Sequence, residues 1–344
     1  MTRAGGKAKT NLRAIACLAA GAALSAALHA AAAPRCEFTG DTLAWVDQAL
    51  AGWNRVNREQ LRIARPTPPV MVLFDESCSY TLRPVVRRTA AAVRLAGQAF
   101  QLSAAPHAGT IGLPDGAEIP ARLTSFAAPL KDGRMSFVMA LPSIWRTSAK
   151  ASDTTMLATA VFMHEFTHTQ SGSMGRRVEA LTRRGLDADA DDDVVQTRFA
   201  DRPGFTAAYE RERDLLFAAY AAKDMGEARR LAGEALQAMT GRRARFYTGA
   251  DAVYAEAEDL FLTMEGTGQY AAYAWLVDSR GAALRADEAL AFIRRGGRRW
   301  SQDEGLALFL VLQRLGVDWA AEVFGPHERT VIATLGNAVG RSLR

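Results

Sequence analysis

Two histidines four positions apart, with a glutamate beside the first, form the most chemically suggestive pattern in the chain: His164, Glu165 and His168. In a helix, side chains at this spacing lie one turn apart on the same face. Both imidazoles can then reach one metal ion at the short zinc–nitrogen distance. Glu165 projects to the side, where it can hold a metal-bound water and accept its proton. The pattern predicts a Zn2+ site with Glu165 as general base.

The alternative is a surface helix on which both histidines are idle. The apolar neighbours, residues 161–163 and Phe166, argue against this alternative, because they predict that the helix is buried. Buried imidazoles need polar partners, and a metal ion is a suitable one.

A catalytic zinc needs a third protein ligand and an open fourth position. No third histidine follows His168 at short spacing, so we expect a carboxylate. The candidates are Glu179, the acidic run 187–193, Glu256, Glu258 and Glu265. The acidic run could bind calcium, but it lacks the turn glycine and final glutamate of an EF-hand, which favours a solvated loop.

Glu265 is the favoured candidate, because it stands in an apolar stretch, and a buried carboxylate must be paired or bind a metal. Gly266 and Gly268 allow another backbone or a substrate to approach closely. Gln269, one turn later, and Glu258, two turns earlier, could orient a ligand from the same face. The alternative is that Glu265 only caps the helix or forms a salt bridge within it.

The sequence HEFTH at 164–168, followed by MEGTGQY at 264–270, resembles the gluzincin metallopeptidases. The resemblance covers these two segments only, and the 96 residues between His168 and Glu265 exceed the gap of familiar members. It implies that His164, His168 and Glu265 bind zinc and that Glu165 is the base. It also implies a zincin-like fold, in which the strand before the active-site helix, here 135–141, is an edge strand that binds extended substrate.

Hydrolysis also requires a group that stabilises the developing oxyanion. Tyr270 is the first candidate, followed by Tyr273, Tyr247 and His327, although each taken singly is more typical of a structural residue.

The N-terminal segment, 1–33, has a basic start, an apolar alanine-rich run and small residues at its end, which predicts a cleaved signal peptide. The chain would then be secreted or periplasmic, or membrane-anchored if the segment is retained. Of 42 basic and 37 acidic residues, four basic ones lie in this segment, so little charge remains to favour nucleic-acid binding. Cys36 and Cys78 form an even pair, which predicts a disulfide in an exported chain.

Apolar periodicity predicts an α+β fold, with a small mixed sheet followed by a mainly helical second half. The predicted parts after the signal peptide are 34–150 and 151–344, which together form one catalytic unit. Predicted helices cover 38–64, 84–104 and 153–171, then 205–239, 250–276, 286–295 and 302–315; predicted strands cover 69–74 and 135–141, with strands and loops between 105 and 134. Ser152 or Asp153 would cap the active-site helix.

Two further features lie near residue 300. The basic cluster 294–300 could bind a carboxylate or an anionic surface, although a solvated helix end is the favoured interpretation. Ser301 and Glu304 have the spacing of a capping box that starts the next helix.

Together these features predict a secreted zinc metallohydrolase that cleaves peptide bonds in a peptide or protein substrate, with no nucleic-acid partner. The alternatives are a non-catalytic binding or scaffold protein that retains a structural zinc, and a zinc amidase acting on cell-wall material. A structural site would have four protein ligands. The oligomeric state is left open.

Overall fold

The first half of the chain forms a mixed six-stranded sheet, and the second half is mainly helical. A computed structural model describes residues 35–85, 92–148, 153–325 and 327–340. The predicted signal peptide, 1–33, lies outside the described residues. The described residues group into one compact unit, and its fold is of the mixed α and β type, in agreement with the α+β prediction.

The strands are β1 (Val70–Phe74), β2 (Cys78–Pro84), β3 (Ala92–Leu95), β4 (Gln98–Pro106), β5 (Thr110–Gly112), β6 (Glu118–Pro120), β7 (Ser125–Pro129) and β8 (Met135–Ala140). The helices are α1 (Gly40–Val56), α2 (Pro142–Ser148), α3 (Thr154–His168), α4 (Gly172–Thr182), α5 (Val194–Phe199), α6 (Phe205–Ala221), α7 (Met225–Phe246), α8 (Val253–Val277), α9 (Ala286–Arg294), α10 (Trp300–Arg314), α11 (Ala320–Val323) and α12 (Val331–Gly340). A π-helical turn, Asn57–Leu61, extends α1.

The large sheet has the order β3-β4-β2-β1-β8-β7, and β5 pairs with β6 in a separate ribbon. β1 runs parallel to β8, with Val72 opposite Val138, and the other pairs are antiparallel. All five residues of β1 are buried, which explains its unbroken apolar sequence.

The edge-strand prediction for 135–141 is wrong, because β7 covers the outer side of β8 and is itself the edge of the sheet. The sequence Ser125–Pro129 contains two alanines and a proline. These residues have low strand propensity, so the sequence pattern does not indicate an edge strand here.

The helix predicted over 84–104 is also wrong, because this region contains β3 and β4. Ala96 and Gly97 both have positive φ, 47° and 85°, and form the two-residue turn of a β-hairpin. The apolar residues Val93 and Leu95 then fall two positions apart, as a strand requires.

Two further predictions concern covalent linkage and membranes. Cys36 and Cys78 form the predicted disulfide, which links the chain before α1 to the start of β2. Among the described residues, no helix has both the length and the apolar character needed to cross a bilayer.

Candidate metal centre

Helix α3 is fixed on two sides, which leaves a third side to carry chemistry. Its N-terminus is capped by Asp153, whose Oδ1 accepts a hydrogen bond of 2.8 Å from the Met156 amide. From α1, the indoles of Trp45 and Trp53 donate to Thr159 and Thr167 at 3.0 and 2.9 Å. Thr159 and Thr167 are eight residues apart, so the two bonds fix α3 at two points along its length.

The adjacent side of α3 packs on the sheet, and the rings of Trp45 and Trp53 also contact its phenylalanines. The rings of Phe162 and Phe166 lie 5.0 and 5.5 Å from the ring of Phe137 on β8, edge to face. His164 and His168 therefore point away from the sheet, towards α8.

Helix α8 is buried on nearly all sides, and its glycines allow close approach to α3 at Gly268 and to α10 at Gly266. A Cβ on Gly268 would lie 2.8 Å from Nδ1 of His164, closer than side chains tolerate. A Cβ on Gly266 would lie 2.7 Å from the backbone oxygen of Gly305 on α10. The expected close approach of another backbone is confirmed at Gly266, whereas at Gly268 the group that approaches is the His164 side chain. Both contacts bring Glu265 beside the histidines.

The three predicted ligands meet at one point. Glu265 Oε2 lies 3.1 Å from His164 Nε2, and Glu265 Oε1 lies 3.1 Å from His168 Nε2. The two Nε2 atoms are 2.8 Å apart. Ligand atoms around a tetrahedral ion with bonds of about 2.0–2.1 Å are separated by about 3.3 Å, so the group fits a small divalent ion with slight widening.

The charges of the group reinforce one another. Burial alone would raise the pKa of the Glu265 carboxyl, but His168 and His164 outweigh burial and lower it well below its usual range. Burial would likewise lower the pKa of His168, and Glu265 outweighs it and raises that pKa to about 9. Two nitrogens and a buried carboxylate form a donor set that could hold a metal ion.

Glu165 lies beside the group without joining it. Its Oε1 accepts a hydrogen bond of 3.2 Å from Ser125 Oγ on the edge strand β7. Among the described residues, its Oε2 accepts no hydrogen bond. Burial raises the pKa of this carboxyl, an effect that the neighbouring His164 and His168 oppose. The carboxylate is thus held by one oxygen and has the other available for proton transfer.

The group opens into a cleft with two halves, which meet at Ser125, His164, Glu165, Asp192 and Gln302. One half, of about 440 Å³, runs along β7, and its apolar lining includes Phe126, Pro129, Val178, Phe261 and Met264. The other half, of about 300 Å³, extends towards α9 and includes Arg295 and Arg299.

The sequence analysis either did not recognise three residues of the cleft or favoured a solvated position for them. Ser125 stands on the unrecognised edge strand. Asp192 belongs to the acidic run that was interpreted as solvated, yet burial and then Glu265 raise its pKa to about 6. Arg295 belongs to the basic cluster interpreted as a helix end. The unusual density of like charge in both segments was the only available signal.

Tyr270 is not brought to the metal group. It lies five positions after Glu265, about 140° around the helix, and so points to the other side of α8. Its hydroxyl donates to Gln60 Oε1 at 3.2 Å, and its ring packs edge to face on Trp319. Neither half of the cleft includes it.

The other secondary candidates also lie elsewhere or have other partners. The hydroxyl of Tyr273 lies 3.1 Å from that of Tyr220, Tyr247 accepts a hydrogen bond from Arg242, and His327 is exposed. Glu258 is held by Arg242 and Arg243 in a buried ion network. Gln269 does line the cleft, but its Nε2 donates to Gln302 rather than to a histidine.

Comparisons of the chain with protein families, with curated proteins and with solved structures find no match.

Proposed function

We propose that this chain is a zinc-dependent hydrolase of the gluzincin type that cleaves peptide bonds outside the cytoplasm. The observation that carries the proposal is the convergence of His164, His168 and Glu265 at the wall of a cleft, with Glu165 beside them. Three protein ligands facing a cleft are the arrangement of catalytic zinc sites, whereas structural sites are closed by a fourth ligand.

His164, His168 and Glu265 would hold a zinc ion, which when bound would supply Lewis acidity for a substrate carbonyl and for water. Glu165 would accept a proton from the attacking water at the carboxylate oxygen that Ser125 does not bind. The same carboxyl can donate that proton to the leaving nitrogen. Burial raises the pKa of this carboxyl, which makes it a better proton acceptor.

The edge strand supports a peptide as the substrate. β7 pairs with β8 on one side only, and Ser125, Phe126, Ala127 and Pro129 line the cleft. An extended peptide can add to such an edge through backbone hydrogen bonds. A peptide bound in this way would lie beside Glu165, which accepts a hydrogen bond from Ser125 on the same strand.

The test is to replace the base and leave the ligands in place. In Glu165→Gln, hydrolysis of a peptide library should fall by about 10²–10⁴-fold, because the proton acceptor is lost, while zinc content stays at the wild-type level. Glu179→Gln is the matched control, because Glu179 is exposed and lies outside the cleft. Full activity in Glu165→Gln would rule out the mechanism; cleavage of cell-wall amides alone would correct the substrate.

A further inference from the structure

The arginines in and beside the turn between α9 and α10 have different roles: one anchors the turn, and two line the cleft. Arg294 donates to both carboxylate oxygens of Asp303, at 2.7 and 3.1 Å, and so anchors the turn. Arg295, Arg298 and Arg299 are all exposed to solvent, but Arg298 lies outside the cleft. Arg295 and Arg299 line the same half of the cleft as Glu165.

Arg295 is held in an uncommon backbone conformation. Its φ is 48°, in the left-handed region, and Gly296 and Gly297 continue with φ of 74° and 69°. Arg295 is thus the left-handed C-cap that ends α9, and the turn that follows brings its side chain to the cleft.

The guanidinium of Arg295 has no partner of opposite charge to neutralise it. Among the described residues it forms no hydrogen bond and no ion pair, whereas Arg294 is paired with Asp303 and Arg299 contacts Asp193. Loss of hydration and then the charge of Arg298 lower the pKa of Arg295, and the Glu165 carboxylate opposes them. An arginine remains charged under these conditions, so a guanidinium without a hydrogen-bonded carboxylate lines the half of the cleft that also contains Glu165 and Asp192.

We infer that Arg295, with Arg299 beside it, binds a carboxylate of the substrate in the cleft half on the α9 side. A guanidinium binds a carboxylate through two parallel N–H···O bonds, which gives both affinity and orientation. The inference rests on the proposed function and specifies its substrate class: a peptide with a negative charge on one side of the scissile bond.

The opposite half of the cleft adds a second requirement. Its walls carry the apolar side chains of Phe126, Phe261 and Met264. A substrate that spans the site therefore places an apolar residue along β7 and an acidic group towards α9. The acidic group can be an Asp or Glu side chain or the carboxylate of the peptide's C-terminus.

Binding to the inactive variant tests the inference separately from hydrolysis. The probes are octapeptides with one apolar central residue, in which Glu or Gln occupies each flanking position in turn, each with a free or amidated C-terminus. A matched pair is two peptides that differ only in Glu against Gln at one position, or only in a free against an amidated C-terminus. For the pair whose carboxylate reaches Arg295, zinc-loaded Glu165→Gln protein should bind the acidic peptide about tenfold more tightly than the neutral one. A preference that follows one Glu position identifies a side chain; one that follows the free C-terminus identifies the terminus.

Variants of the turn identify the residue responsible. Introduced into the Glu165→Gln protein, Arg295→Gln should abolish the acidic preference, and Arg295→Lys should restore part of it, because lysine keeps the charge but not the two-pronged geometry. Arg298→Gln removes one charge from the same turn and should leave the preference intact. Unchanged thermal unfolding in all three variants would show that the fold survives.

The outcomes separate the two proposals. Equal binding of acidic and neutral peptides, or a preference that survives Arg295→Gln, would overturn the inference. A preference that depends on Arg295, in a protein whose wild type hydrolyses none of the peptides, would uphold the carboxylate site and refute the proposed hydrolase.

Discussion

Gly268 is the residue that allows the ring of His164 to lie directly against α8. Any side chain there would occupy the position of the imidazole, since a Cβ would lie 2.8 Å from Nδ1 and 3.0 Å from Cγ. The metal group therefore depends on the absence of a side chain on the helix that supplies Glu265. This dependence can be tested without altering any of the three ligands.

Gly268→Ala should displace the imidazole and weaken metal binding by about 10–100-fold, a loss comparable to that caused by removing the supports of metal ligands. The measurement is competition with a zinc chelator of known affinity. Gly241→Ala is the control, because nothing lies within 4 Å of a Cβ at this helical position, and its affinity should match wild type. Wild-type affinity in Gly268→Ala would refute the contact.

At the residue scale, the sequence predicted the positions of those side chains that depend on local helical spacing or on the polarity of their neighbours. His164, Glu165 and His168 follow from helical spacing alone. Glu265 follows because an ionised carboxylate in an apolar segment needs a partner. Asp192 and Arg295 could not be placed, because loop conformation and packing against distant helices decide whether a charged loop residue faces solvent or the cleft.

At the scale of elements, α8 is positioned by a contact between two backbones. Gly266 and Gly305 allow α8 and α10 to touch: a Cβ on Gly266 would lie 2.7 Å from the Gly305 oxygen and 2.7 Å from Cδ2 of Phe309. The preceding residue, Glu265, thus lies where α8 packs against both α10 and α3.

Gly266→Ala should lower the free energy of unfolding by about 1–3 kcal/mol, because the added methyl group must separate two close-packed helices. Urea denaturation of the metal-free protein measures the change. In Gly241→Ala the same chemical change should leave stability equal or raise it, since alanine favours a helix. If Gly266→Ala were as stable as wild type, the helices would not be in the contact described.

Elements with strong periodicity were predictable, and those defined by their turns or neighbours were not. The buried strand β1 and the helix α3 lie close to their predicted bounds. The hairpin of β3 and β4 was interpreted as a helix because Ala96–Gly97 carries a weak turn signal. The prediction of a capping box at Ser301 and Glu304 is wrong, because α10 begins at Trp300 and both residues are buried inside the helix.

At the scale of the whole molecule, a buried ion network joins the C-terminal helices. Arg242 on α7 binds Glu212 on α6 and Glu258 on α8, at 2.8 and 2.9 Å. Glu304 on α10 lies near the same group. Burial and then the charge of Glu212 raise the pKa of the Glu304 carboxyl well above its usual value, and Arg242 opposes this shift.

A raised pKa in the folded state means that the folded protein binds the proton of Glu304 more tightly than the unfolded chain does. Its stabilising contribution is complete below the unfolded pKa, near 4.5, and is lost as pH rises through the folded pKa. Burial also raises the pKa of Glu212, to about 7, so both carboxyls contribute to this loss.

Glu304→Gln should therefore flatten the decline in the free energy of unfolding between pH 5 and pH 8, because the amide cannot ionise. Urea denaturation at four pH values, beside wild type and the exposed variant Glu179→Gln, measures the slope. An identical decline in Glu304→Gln and wild type would show that Glu304 is not the group that titrates.

The central claim is that His164, His168 and Glu265 hold one zinc ion with a coordination position open to the cleft. Zinc-edge X-ray absorption of the loaded protein tests it most directly, beside His168→Ala and Glu265→Gln. We predict one zinc per chain with two imidazole nitrogens, a carboxylate oxygen and a solvent oxygen in wild type, and weaker binding in both variants. A zinc enclosed by four protein ligands, or binding that is the same in all three proteins, would contradict the account.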